Sequence, residues 1–284
     1  METGDTVKLM KTILVTGCSH SSGCERIDKL LFKGYNKFLQ DAKYQTEYEV
    51  HNIVQKHKIK YLLENFKCLK LKKLIGTDYK KAGEIIDRFF VRLERSYSWP
   101  AELQKKLKNY KVINLAKGGN SFKINIKQTL DFMKNIDSEL VCIHQVPSHP
   151  RTYVKYNGTI HNVTGIADLN FKKELRHYDA NLCATLDILK TKYKNLVLRD
   201  VYHDYFHRAN AQYYKCLLRN SNKLTKHFFI IENDDQIETF GKENIILANF
   251  KNFRLNYKLG RGHVIDDQFG PDLANIVINK IIKE

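Results

Sequence analysis

Proline is scarce in this chain, four residues in 284, and tryptophan occurs once. So few prolines argue against long disordered linkers. No Cys-x-x-Cys pair occurs among the six cysteines, Cys18, Cys24, Cys68, Cys142, Cys183 and Cys216. A disulfide framework is therefore not expected, and a reducing compartment fits better. Cys142 sits in an apolar run and Cys183 on a helical face, where cysteine usually serves as a small buried hydrophobe. No run approaches the roughly 18 apolar residues of a membrane span, so no membrane contact is expected. Met1–Leu14 lacks the apolar stretch of about 7–15 residues and the cleavage pattern of a signal peptide. The expected location is the cytoplasm, or a particle such as a virion, without signal-peptide secretion. Neither a P-loop nor a GxGxxG follows the first strand, which disfavours a dinucleotide fold. No cofactor is expected. His203 and His207 invite a zinc reading, but no set of four ligands at metal spacing accompanies them, so no metal is expected.

Acidic residues are the minority: 31 Asp and Glu against 48 Lys and Arg, a formal net charge of +17. The excess suits contact with polyanions. Lys, Asn, Ile and Tyr are all abundant, however, as an A/T-rich coding sequence would give, and charge alone is weak support for a nucleic-acid partner. Hydrophobic residues make up 43% and aromatics 11%, enough for a sizeable core.

Lys11–Thr16 reads as a buried strand that ends at Gly17, with a loop to Gly23 and a helix near Glu25. Residues 32–95 differ: apolar positions alternate with nine lysines between Lys56 and Lys81, and Ile85, Ile86, Phe89, Phe90 and Leu93 recur at helical spacing. They read as a basic helical insertion, a lid or a docking element for a protein partner. The α/β pattern resumes with a helix over Pro100–Leu107, a strand over Tyr110–Leu115, a helix to Ile136 and a strand over Glu139–His144. Pro147–Gly165 reads as a long polar loop, 171–193 as a helix and Asn195–Val201 as a fourth strand. His227–Ile231 and Ile245–Leu247 read as later strands, and Pro271–Lys283 as a last helix. Such alternation predicts a mostly parallel sheet of about five strands with both faces covered, functional residues lying beyond the strands' carboxyl ends. The expected organisation is one α/β domain, 1–31 plus 96–284, interrupted by the insertion 32–95.

Three loops then gather the chemistry. In Gly17-Cys18-Ser19-His20-Ser21-Ser22-Gly23, Ser19 stands at a strand-to-helix turn and suits a nucleophile. In Asn114-Leu115-Ala116-Lys117-Gly118-Gly119-Asn120-Ser121, glycine lets the backbone approach a ligand. In Ile143-His144-Gln145-Val146-Pro147-Ser148, polar side chains can complete an oxyanion hole. Arg151 follows and suits an anionic substrate group.

Strand-GCSHSSG, then Ser98-Trp99-Pro100 opening a helix, then VINLAKGGNS, resembles the SGNH/GDSL hydrolase superfamily, in the divergent form met in bacteriophage and other viral genomes. The likeness covers about 11–25 and 96–150, and more weakly 195–284. It implies a three-layer α/β/α, flavodoxin-like fold and a serine esterase acting on O-acyl esters, such as acetyl groups on carbohydrate. Ser19 is then the nucleophile, with Ser19 NH, Gly119 NH and a polar side chain (Asn120 and Ser148 are candidates) as oxyanion hole. Cys18 stands where the family usually has aspartate, and Gln145 or Ser148 where it has asparagine. Gln268 falls at the family's histidine. Glutamine is no general base, so His263, oriented by Asp266 or Asp267, or else His20, would take that role. The alternative is a non-catalytic descendant of the same fold, a structural or binding component of a virus particle.

Overall fold

The computed structural model describes residues 11–18, 21, 26–32, 34–42, 47–66, 73–74, 77–118, 120–147, 151–156, 159–164, 199–259 and 264–283. Five strands form one parallel sheet: β1 (Lys11–Thr16), β2 (Tyr110–Asn114), β3 (Leu140–Gln145), β6 (Thr225–Ile230) and β7 (Ile245–Leu247). Their order is β2-β1-β3-β6-β7. A separate antiparallel hairpin pairs β4 (Arg151–Tyr156) with β5 (Thr159–Thr164). In chain order the sheet strands thus run 2-1-3-4-5, the doubly wound arrangement whose direction of winding reverses between β1 and β3.

Alternation along the strands builds two cores. Ile13, Val15, Val141, Ile143, Phe228 and Ile230 face one layer. They pack against Trp99 and Leu103 of α5 (Trp99–Lys106), Phe250 of α9 (Phe250–Leu255), and Leu273 and Val277 of α10 (Phe269–Lys283). The other face carries Leu14, Leu140, Cys142 and Phe229. It is covered by α6 (Phe122–Met133), α7 (Arg199–Arg219) and α8 (Ile237–Phe240). The molecule is therefore a three-layer α/β/α protein, as the strand–helix alternation predicts. Each fully buried Phe or Leu contributes about 1.5–3 kcal/mol over its exposed state, so these two layers supply the main drive for folding.

Residues 32–95 contain α2 (Tyr35–Ala42), α3 (Glu47–Phe66) and α4 (Tyr79–Ser96), after α1 (Arg26–Leu31). Asp78 caps α4 by accepting from Lys81 N at 3.0 Å. Leu62, Ala82, Ile86 and Phe90 bury one cluster with Ile27 of α1. Phe32, Tyr35, Phe38 and Val54 bury another with Ile265, just before α10. The helical segment thus packs on α1 through one cluster and on the residue before α10 through the other.

Two expectations fail. The stretch Pro147–Gly165 is not a plain polar loop, because 151–156 and 159–164 pair as a hairpin. Arg199, Asp200 and Val201 are not strand but the first turn of α7, and β6 takes the place next to β3. Leu196-Val197-Leu198 is a short apolar run, and such runs do not separate strand from helix by periodicity. The helix expected over 171–193 and residues 195–198 lie outside the described residues. Among the described residues, no helix is long and apolar enough to cross a membrane.

Candidate functional site at the sheet switch point

Beyond the carboxyl ends of β1 and β3 the chain runs through Gly17-Cys18 and through Val146. Ser21 bridges the two ends. Its backbone N donates to Gln145 Oε1 at 3.1 Å, and its Oγ donates to the same oxygen at 2.5 Å. Trp99 Nε1 in turn donates to Ser21 Oγ at 3.1 Å. Because Ser21 N can only donate, the amide oxygen of Gln145 must face it. That leaves Gln145 Nε2 as a buried donor without a hydrogen-bond partner. An unmet buried donor costs about 1–3 kcal/mol, and it marks a place that a water or ligand oxygen would fill.

Gly17 makes this approach possible. A Cβ there would come within 2.9 Å of both Gln145 Cβ and Ser21 Oγ. Asn114, the last residue of β2, holds the other side. Its Nδ2 donates to Ser21 O at 2.8 Å and to Ser98 Oγ at 3.2 Å, and its Oδ1 accepts from Ala116 N at 3.0 Å. Three strand ends are thereby tied through one serine.

The second loop joins the same network. Asn120 is buried, and its Nδ2 donates to Asn125 Oδ1 and Gln128 Oε1, both at 3.3 Å. Asn125 Nδ2 then donates to Gln145 O at 3.4 Å. Asn120 therefore braces the loop through its side chain. Arg95 lies beside it, with Nη2 donating to Ala116 O at 3.5 Å and Nε buried without a partner. Burial pushes its pKa down, against the pull of Glu94.

At the start of the last helix, Asp266 acts as a clasp. Its Oδ1 accepts from Gln268 N at 2.9 Å and its Oδ2 from Lys258 N at 3.3 Å. Gln268 is exposed, and its Nε2 donates to Asp272 Oδ1 at 2.8 Å. Asp267 is also exposed and pairs with Lys29 at 3.0 Å. Ser19, His20, Gly119, Ser148 and His263 lie outside the described residues, as does the side chain of Arg151, which opens β4. Cys18 is buried at the first loop.

A second polar array runs through the layer under α6 and α7. Ser221 Oγ donates to Leu217 O at 2.8 Å, so it accepts from His227 Nε2 at 2.6 Å. His227 Nδ1 then accepts from His144 Nε2 at 3.2 Å, and His144 Nδ1 accepts from Thr16 Oγ1 at 2.9 Å. Both imidazoles are neutral: burial lowers His227 from 6.5 to about 4, and burial with the neighbouring His227 holds His144 well below 6.5. Burial also raises the Cys142 thiol far above its ordinary range.

Comparison with known protein families and with curated proteins finds no match.

Sequence reasoning singled out Gln145 but missed Ser21, Asn114, Asn125 and Arg95. One signal was available. Thr16, Asn114 and Gln145 are the polar last residues of three adjacent parallel strands, the positions that face a functional crevice.

Proposed function

We propose that the chain is a serine acyl hydrolase of the SGNH/GDSL type that acts on O-acyl esters, with acetylated carbohydrate as the substrate class. The observation that carries this reading is Gln145 Nε2, a buried unpaired donor at the end of β3, with its amide oxygen anchored by Ser21. A donor held in this way suits an oxyanion, because its orientation is fixed before any charge develops. Gln145 then takes the role the family gives to asparagine.

In the proposed reaction Ser19 Oγ attacks the ester carbonyl carbon while His263 accepts the hydroxyl proton. The carbonyl oxygen becomes an oxyanion held by Ser19 NH, Gly119 NH and Gln145 Nε2. Collapse breaks the bond to the alkoxy oxygen, which leaves with the proton from His263. Water then adds to the acyl-serine and gives a proton to the same base; the bond from the acyl carbon to Ser19 Oγ breaks, the base returns that proton to Oγ, and the acid is released. Asp266, the clasp between Lys258 and Gln268, would position the segment that contains His263.

The test is hydrolysis of p-nitrophenyl acetate by wild type and Ser19→Ala, with fluorophosphonate labelling located by mass spectrometry. A rate that falls at least about a hundredfold with label on Ser19 is expected. Equal rates overturn the reading.

Gln268 at the family's histidine position, exposed and bonded to Asp272, favours a second reading. In that reading the chain is a non-catalytic descendant, a structural or binding component of a particle, with 32–95 as its protein-docking element. It predicts no Ser19-dependent turnover and a stable complex with a partner protein.

A further inference from the structure

Cys142 and His144 are two residues apart on β3, so their side chains share a face. His227 is the register partner of Cys142 on β6. The sheet thus gathers one sulfur and two imidazoles, all buried, with their ligand atoms within 4.8 Å of one another. Among the described residues, no Asp or Glu belongs to this cluster.

We propose that Cys142, His144 and His227 form a site for one soft monovalent cation, Cu(I), bound by a thiolate and two neutral imidazoles. His144 Nε2 and His227 Nδ1 are 3.2 Å apart. Two nitrogens at ordinary bond length on a three-coordinate ion are about 3.5 Å apart, so the spacing is nearly right and each ring need only turn its lone pair from its partner toward the ion. The outer nitrogens already have partners, Thr16 Oγ1 on His144 and Ser221 Oγ on His227. Such outer hydrogen bonds orient ligating histidines. Binding needs few changes. The Cys142 thiol loses its proton to solvent as the copper–sulfur bond forms. The His144 proton moves from Nε2 to Nδ1, and the Thr16 hydroxyl turns to accept it. His227 keeps its proton on Nε2.

Charge selects the ion. One thiolate and Cu(I) sum to zero, whereas Zn(II) would leave a positive charge buried among Leu14, Leu140 and Phe229 with no carboxylate in the cluster. Thiolate and imidazole also suit a soft ion. A groove comes near the cluster at the amino-terminal end of the strands. It has a volume of about 890 Å³ between α6 and α7 and is lined by Leu140, Thr225, Met133 and Cys216. Leu140 and Thr225 form the strand pair one step before Cys142 and His227 on the same face. Met133 also packs against the Cys142 cluster, and Cys216 is exposed, so soft sulfur donors line the groove beside it.

The test uses the full chain, reduced and anaerobic, competing with bicinchoninate for Cu(I). Wild type is expected to take one tight equivalent, and its thermal midpoint to rise by roughly 5 °C when the ion is at a hundredfold excess over Kd. Cys142→Ala should lose that equivalent and Cys216→Ala should keep it. X-ray absorption on copper-loaded wild type should find one sulfur and two nitrogens around the ion, and needs no variant to fold. No uptake, uptake that survives Cys142→Ala, an all-sulfur shell, or tighter uptake of Zn(II) than of Cu(I) would each overturn the proposal.

Discussion

Ser21 Oγ and Gln145 Oε1 lie 2.5 Å apart, although 124 residues separate them in the chain. The bond closes the gap between β1 and β3, the point where the sheet's winding reverses. It also decides which end of the Gln145 amide is left over. Acceptor and donor in one side chain are thus divided: the oxygen holds the fold and the Nε2 donor stands buried without a partner.

Gln145→Met should destabilise the protein by about 2–4 kcal/mol, since Ser21 N and Oγ would both lose their acceptor in a buried place. Urea denaturation measures it. A loss below about 0.5 kcal/mol would mean the bond is not maintained in solution. In the hydrolase reading kcat also falls by about 100- to 1000-fold, beyond what the unfolded fraction explains.

Gly17→Ala tests the closeness of the same junction. The added methyl would stand 2.9 Å from Gln145 Cβ and from Ser21 Oγ. A strand end or a side chain must then shift, at a cost of about 1–3 kcal/mol. A thermal midpoint unchanged from wild type would count against so tight a contact.

Trp99→Phe removes the Nε1 donor to Ser21 Oγ and leaves a smaller ring in a buried site. We expect a loss of about 1–3 kcal/mol, read from chemical denaturation. If Ser21 is the shared strut, this loss and that of Gln145→Met should not add in the double variant.

The buried histidine pair sets an acid limit for the metal-free protein. The folded-state pKa of His227 is depressed to about 4 from 6.5, so the unfolded chain takes up the proton first as pH falls. Its contribution is therefore fully present above pH 6.5 and is lost progressively down to about 4, a change of roughly 3 kcal/mol. His144 acts in the same direction. Denaturation curves between pH 4 and 7 should show stability rising with pH in chelator, with a shallower slope in His227→Gln. A wild-type slope no steeper than the variant's would rule out this origin.

Much of the fold was legible in the order of residues. Lys11–Thr16 is apolar and β-rich and ends at glycine, and it forms the strand that periodicity predicts. Ser98-Trp99-Pro100 opens α5 because proline fits the first helical turn. Local propensity and hydrophobic period act over a few residues, so they are visible in one dimension. The same short range explains the failure at 199–201. Arg-Asp-Val follows an apolar run and reads as strand end, yet it starts the 21-residue helix that covers Phe229.

The Gly17–Ser21 segment drew attention from sequence because small and polar residues follow a buried strand, and Gln145 because it ends another. That Ser21 anchors Gln145, that Asn114 and Asn125 secure the same junction, and that Cys142, His144 and His227 converge were decided by strand order and register alone. Parallel pairing brings residues more than 80 positions apart to bonding distance, as with His144 and His227. No local pattern of charge, size or periodicity encodes such a pairing, because it exists only once the core has fixed which strand lies beside which.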